Sequence, residues 1–131
     1  MSKINRILIV DDDNVYIDGL KRILTSYILK CNNAANVEIF TANNGLDAIN
    51  KAKIIHPDMI FMDYLMPELD GISAMRQLKN HYDTKDIFIV LMSGERYVDA
   101  RGCTFLKKPV RAHEVDEIVR KYLNKDVLYL S

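Results

Sequence analysis

The chain has 131 residues, 49% of them apolar, which is enough for one domain around one core and too few for two ordinary domains. Its 18 basic residues balance 18 acidic ones, so the electrostatic footprint of a dedicated nucleic-acid or membrane-surface binder is missing. No apolar run reaches the ~18 residues of a membrane span, the N-terminus lacks a signal-peptide core, and Cys31 and Cys103 form no CxxC pair, so a cytoplasmic protein with reduced, mostly buried thiols is expected.

The first apolar run, "RILIV" (6 to 10), is continuous rather than alternating, as in a strand covered on both faces. It runs into Asp11, Asp12 and Asp13. Leu20, Ile23, Leu24, Tyr27 and Ile28 then fall at i, i+3, i+4, i+7 and i+8, which predicts a helix of about 17 residues ending near Cys31. The polar "NNAAN" (32 to 36) leads into a second strand, "VEIF" (37 to 40). A second helix is predicted from Asn43 or Asn44, both good caps, with Leu46, Ile49 and Ala52 turned inward and a stop ahead of Pro57. "DMIFM" (58 to 62) reads as the third strand; it runs into Asp63 and a loop containing Pro67 and Gly71.

A third helix is predicted from about Ile72 to Lys79. The fourth strand, "IFIVLM" (87 to 92), runs into Ser93, and the fifth, "CTFL" (103 to 106), into Lys107, Lys108 and Pro109. Between them, the 94–102 segment leaves room for a short or missing fourth helix. The last helix, roughly Arg111 to Asn124, carries Val115, Ile118, Val119, Tyr122 and Leu123 at helical spacing. The 125–131 tail is expected to pack on the domain, with partner docking as the alternative. Met59, Met62, Met75 and Met92 read as core filler. Alternating strands and helices joined by right-handed crossovers make a doubly wound α/β domain with a parallel sheet, spanning 1–131 as one unit.

Sites in such sheets lie beyond the carboxyl ends of the strands. If the first and third strands are neighbours, Asp63 converges with the acids after Val10. Two carboxylates about 4 Å apart repel by roughly 4 kcal/mol even at an effective dielectric of ~20. A positive charge is therefore needed. Hard oxygens with room for water suit Mg²⁺ better than zinc, and His56, His81 and His113 are scattered. Lys108 adds a compact cation for phosphate oxygens, and an Asp nucleophile with a metal, a lysine and a hydroxyl is what phosphoryl transfer to a carboxylate requires.

"ILIVDDD", "PDMIFMDYLMPELDG", "IVLMSG" and "FLKKP", in that order, resemble the receiver domain of two-component response regulators over nearly the whole chain. The resemblance implies a flavodoxin-like strand order 2-1-3-4-5. It makes Asp63 the phosphoacceptor, Asp12 a direct Mg²⁺ ligand supported by Asp11 in part through water, and the backbone carbonyl of Leu65 a further ligand. Ser93 is then the hydroxyl that follows the phosphoryl group, Phe105 the aromatic switch, Lys108 the family's lysine and Pro109 its cis proline. A histidine kinase or phosphotransfer protein is the expected donor. The expected role is a stand-alone signalling receiver that catalyses only its own phosphorylation and dephosphorylation and acts through protein contacts or onward phosphorelay.

Other readings stay open. Asp11 to Asp13 could cap the first helix, with Asp13 a cap or surface residue, Ser93 and Gly94 could be a turn, and Lys107 reads as a solvated neighbour of Lys108. A Mg²⁺-dependent phosphohydrolase with an Asp nucleophile would need a second acid two residues on, where this chain has Leu65. A degenerate receiver binding partners without phosphorylation is the third reading. The stretch from Ser93 to Lys108 is several residues shorter than is usual in the family, which bears on the output surface.

Overall fold

The computed structural model describes residues 5–30, 37–94 and 104–123. Five strands, β1 (Asn5–Val10), β2 (Val37–Ala42), β3 (Met59–Asp63), β4 (Phe88–Ser93) and β5 (Thr104–Lys107), form one parallel sheet in the order β2-β1-β3-β4-β5. The helices are α1 (Asn14–Leu29), α2 (Gly45–Ile55), α3 (Gly71–Lys79) and α4 (Ala112–Leu123). The expected strand order is the one found. The 95–102 part of the short segment, the 125–131 tail and both cysteines lie outside the described residues.

The continuous apolar runs have their cause in two separate cores. Leu8, Val10, Ile60, Met62, Ile89 and Leu91 face α2 and α3, while Ile7, Ile9, Met59, Phe61, Val90 and Met92 face α1 and α4. With neither face left to water, the interior positions of β1, β3 and β4 are apolar and the polar residues of these strands stand at their ends. Met59, Met62, Met75 and Met92 are all buried, as expected of filler.

One inward assignment needs correcting. Leu46 is 48% exposed, because the buried stripe of α2 is Gly45, Ala48, Ile49 and Ala52, at i, i+3, i+4 and i+7. Asn44 caps that helix by accepting from the Asp47 N–H at 2.8 Å, which places Leu46 about 100° of helix rotation away from Gly45. No helix among the described residues is long and apolar enough to cross a membrane.

Candidate functional site

Side chains alternate along a strand, so each strand end inherits the phase of the residues before it. Asp11 continues the phase of Ile7 and Ile9, Asp63 that of Met59 and Phe61, and Lys108 that of Leu106, all of which belong to the α1/α4 face. β1 and β3 are hydrogen-bonded neighbours, with Val10 opposite Met62. The two acids are thereby brought together from positions 52 apart in the chain.

Lys108 Nζ lies 2.7 Å from Asp11 Oδ2 and 2.9 Å from Asp63 Oδ1. Asp11 and Asp63 are buried, whereas Asp12 is exposed. Carboxylate oxygens of the three acids lie within 4.8 Å of one another. With all groups ionised, one lysine leaves two negative charges uncompensated. Burial holds the Asp63 carboxyl above the ordinary aspartate range; Asp11 and Asp12 push the same way, and the hydrogen bond and charge of Lys108 oppose them without prevailing. Burial also disfavours the Lys108 ammonium, but its hydrogen bonds to Asp11 and Asp63 and their charges outweigh that and hold it above the usual lysine value.

Backbone contacts fix the cluster. The Asp11 N–H donates to the Ala42 carbonyl at 3.1 Å, and Asn43 Nδ2 donates to the Asp11 carbonyl at 3.2 Å. Asp13 caps α1, accepting from the Val15 N–H at 2.9 Å, so the capping alternative holds for Asp13 while Asp11 turns into the site. Beyond Asp63, the Tyr64 N–H donates to the Met92 carbonyl at 2.8 Å and the Gly71 N–H to the Tyr64 carbonyl at 2.7 Å, closing the loop that holds Pro67. A Cβ on Gly71 would collide with the Asp63 carbonyl oxygen, so glycine alone lets α3 begin this close to the acid.

The remaining predicted residues lie in β4, β5 and the loops that follow β3 and β5. Ser93 ends β4, is buried, and its carbonyl accepts from the Lys108 N–H at 2.8 Å. Leu65 lies in the loop after β3 with its side chain 57% exposed. Phe105 sits in β5 opposite Leu91 and packs, half-buried, against the α2/α3 core. The Lys108–Pro109 peptide is cis. Lys107 is exposed, as expected of the solvated neighbour. Two contributors went unrecognised in the sequence. Asn43 carries only the signal of a helix cap, and Tyr16, four residues before Leu20 and seven before Ile23, reads as one more residue of the apolar stripe of α1.

These motifs have counterparts in known proteins. The family model of the response regulator receiver domain matches residues 7–120. Chemotaxis protein CheY of Bacillus subtilis (strain 168) is 34% identical over 125 residues, covering 92% of this chain and 98% of CheY. Regulatory protein AtoC of Escherichia coli (strain K12) is 34% identical over 121 residues, which is 90% of this chain but only 24% of AtoC's length. Among solved structures, the receiver domain of sensor histidine kinase PA1611 from Pseudomonas aeruginosa PAO1, crystallised with a magnesium ion coordinated in its active-site cleft, has the same fold. Its TM-score is 0.78 at 23% identity, covering 92% of this chain and 98% of that one. A sheet in the order β2-β1-β3-β4-β5 with its acids at the ends of β1 and β3, together with a family match over most of its length, makes this chain a member of the response regulator receiver domain family.

Proposed function

We propose that Asp63 accepts a phosphoryl group from a histidine kinase or phosphotransfer protein, and that the chain, working in the cytoplasm as one receiver unit, signals through contacts that depend on that group or by passing it onward. The observation that carries this reading is the buried Asp63 carboxylate at a strand end, 2.9 Å from Lys108 and grouped with an exposed Asp12.

The donor set fits Mg²⁺: three carboxylates, two negative charges in excess, no sulfur or imidazole in the group, and an exposed acid leaving room for water. Asp12 and Asp63, supported by Asp11 and joined by the backbone carbonyl of Leu65, would hold the ion. When bound, it supplies charge neutralisation at the phosphoryl oxygens.

An Asp63 oxygen attacks phosphorus in line; the new O–P bond forms as the N–P bond of phosphohistidine breaks, and the departing imidazole nitrogen keeps the electron pair. Lys108 exchanges its Asp63 contact for a phosphoryl oxygen. The Ser93 hydroxyl then donates to another phosphoryl oxygen, a contact available only in the phosphorylated state, which shifts the balance between conformations, with Phe105 following Ser93. Leu65 offers no general acid at the position a hydrolase would use, so turnover is confined to the chain's own acyl phosphate. Incubation with phosphoramidate, with and without Mg²⁺, followed by intact mass measurement, tests the reading: the wild type gains one phosphoryl group only with Mg²⁺ and Asp63→Asn gains none. Equal labelling of both proteins would end it.

A further inference from the structure

Tyr16 touches the site lysine twice, and no step above uses it. The Lys108 Nζ lies 4.0 Å from the centroid of the Tyr16 ring. An ammonium has three N–H donors and no acceptor; two of them are accounted for by Asp11 and Asp63, and the ring's electron-rich face covers a further side. The Tyr16 hydroxyl oxygen also accepts a hydrogen bond from the Val110 N–H at 2.9 Å. Val110 lies two residues after Lys108, past Pro109. One side chain of α1 therefore holds both the head of the lysine and the loop that carries it.

A lysine stem is flexible, and its charge serves a transferring group only if it is in place beforehand. The ring can do this without hindering the reaction. Its attraction for the ammonium does not dictate which N–H points where, so Lys108 can turn from Asp63 to a phosphoryl oxygen while staying over the ring. A packing residue alone would need neither the facing ring nor the hydroxyl contact.

We infer that Tyr16 is a positioning residue for Lys108: the ring keeps the ammonium between Asp11 and Asp63, and the hydroxyl anchors the exit from β5. Its consequence for the reaction rests on the phosphoacceptor reading, while its geometry can be measured without it.

The test compares Tyr16→Leu and Tyr16→Phe in the full chain. In lysine-labelled protein, Tyr16→Leu removes the ring-current shift on the Lys108 ε-methylene and Tyr16→Phe retains it. Amide exchange at Val110 speeds up in both variants. With phosphoramidate at saturating concentration and Mg²⁺, Tyr16→Leu labels about tenfold more slowly and Tyr16→Phe within about threefold of wild type, with Mg²⁺ affinity little changed. Lys108 shifts that match wild type in Tyr16→Leu, or labelling of that variant within about twofold of wild type, would overturn the inference. Should Tyr16→Leu not fold, unchanged Val110 exchange in Tyr16→Phe overturns it. A wild type that takes no label while the Lys108 shift still depends on the ring defeats the phosphoacceptor reading and leaves the positioning geometry supported.

Discussion

Where the strands begin, Arg6 lies 3.4 Å from Glu38 with the two side chains 41% and 50% exposed, donates to the Ile55 carbonyl at 2.9 Å, and its backbone N–H meets Asp58 Oδ2 at 2.8 Å. Where they finish, Asp11 and Asp63 are buried around Lys108, whose side chain is 19% exposed, with Asp12 beside them. Both ends mix acids with a base. At the first end the ionic contact is solvated, and such pairs contribute little. At the second, acids outnumber the cation in a place where water cannot screen them, an arrangement that stability alone does not favour. Charge excess combined with burial separates the candidate site from ordinary fold chemistry.

The sharpest test of that contrast is Asp63→Asn, for which complete loss of phosphoryl labelling is expected in intact mass spectra. Lys108→Met follows: labelling slows by roughly 100-fold, the scale of one preorganised charge contact, while titration calorimetry shows tighter Mg²⁺ binding because a competing cation is gone. Gly71→Ala should lower stability by about 2 kcal/mol in urea unfolding, since the added methyl meets the Asp63 carbonyl oxygen.

A smaller effect comes from pH. The fold favours the neutral Asp63 carboxyl, so that contribution is fully present below its unfolded pKa and is lost as pH rises through the raised folded value. Measured without divalent cations, the Tm of Asp63→Asn should pull above wild type as pH leaves the acidic range; a gap independent of pH would contradict the stated cause. The smallest change belongs to the other end of the sheet. Arg6→Ala should shift stability by no more than about 1 kcal/mol and leave the labelling rate alone.

Much of this was legible beforehand for definite reasons. Buried parallel strands must be apolar on both faces, so "RILIV", "DMIFM" and "IFIVLM" announce themselves, and a charged residue directly after such a run stands out. Asp11 and Asp63 stand out by that signal and Ser93 as the polar residue that ends the fourth run, whereas Lys108 is told from Lys107 only by its place before Pro109 and by the family resemblance. Leu46 misled because an apolar residue in the first turn of a helix resembles its core stripe until the cap sets the phase. Asn43 and Tyr16 escaped because an asparagine after a strand and a tyrosine early in a helix are each ordinary; only their contacts with the Asp11 carbonyl, the Lys108 ammonium and the Val110 N–H mark them.

Periodicity and composition by themselves determined an alternating α/β chain with acids and a lysine at its strand ends, because burial on both sheet faces and the punctuation of strand ends are local properties. Tertiary structure alone decided that Lys108 bridges Asp11 and Asp63, that Asp12 stays in water, and that Tyr16 braces the lysine. Those facts depend on which strands lie side by side and on how α1 crosses them, and distances between residues nearly a hundred positions apart are not encoded in any short stretch of the chain.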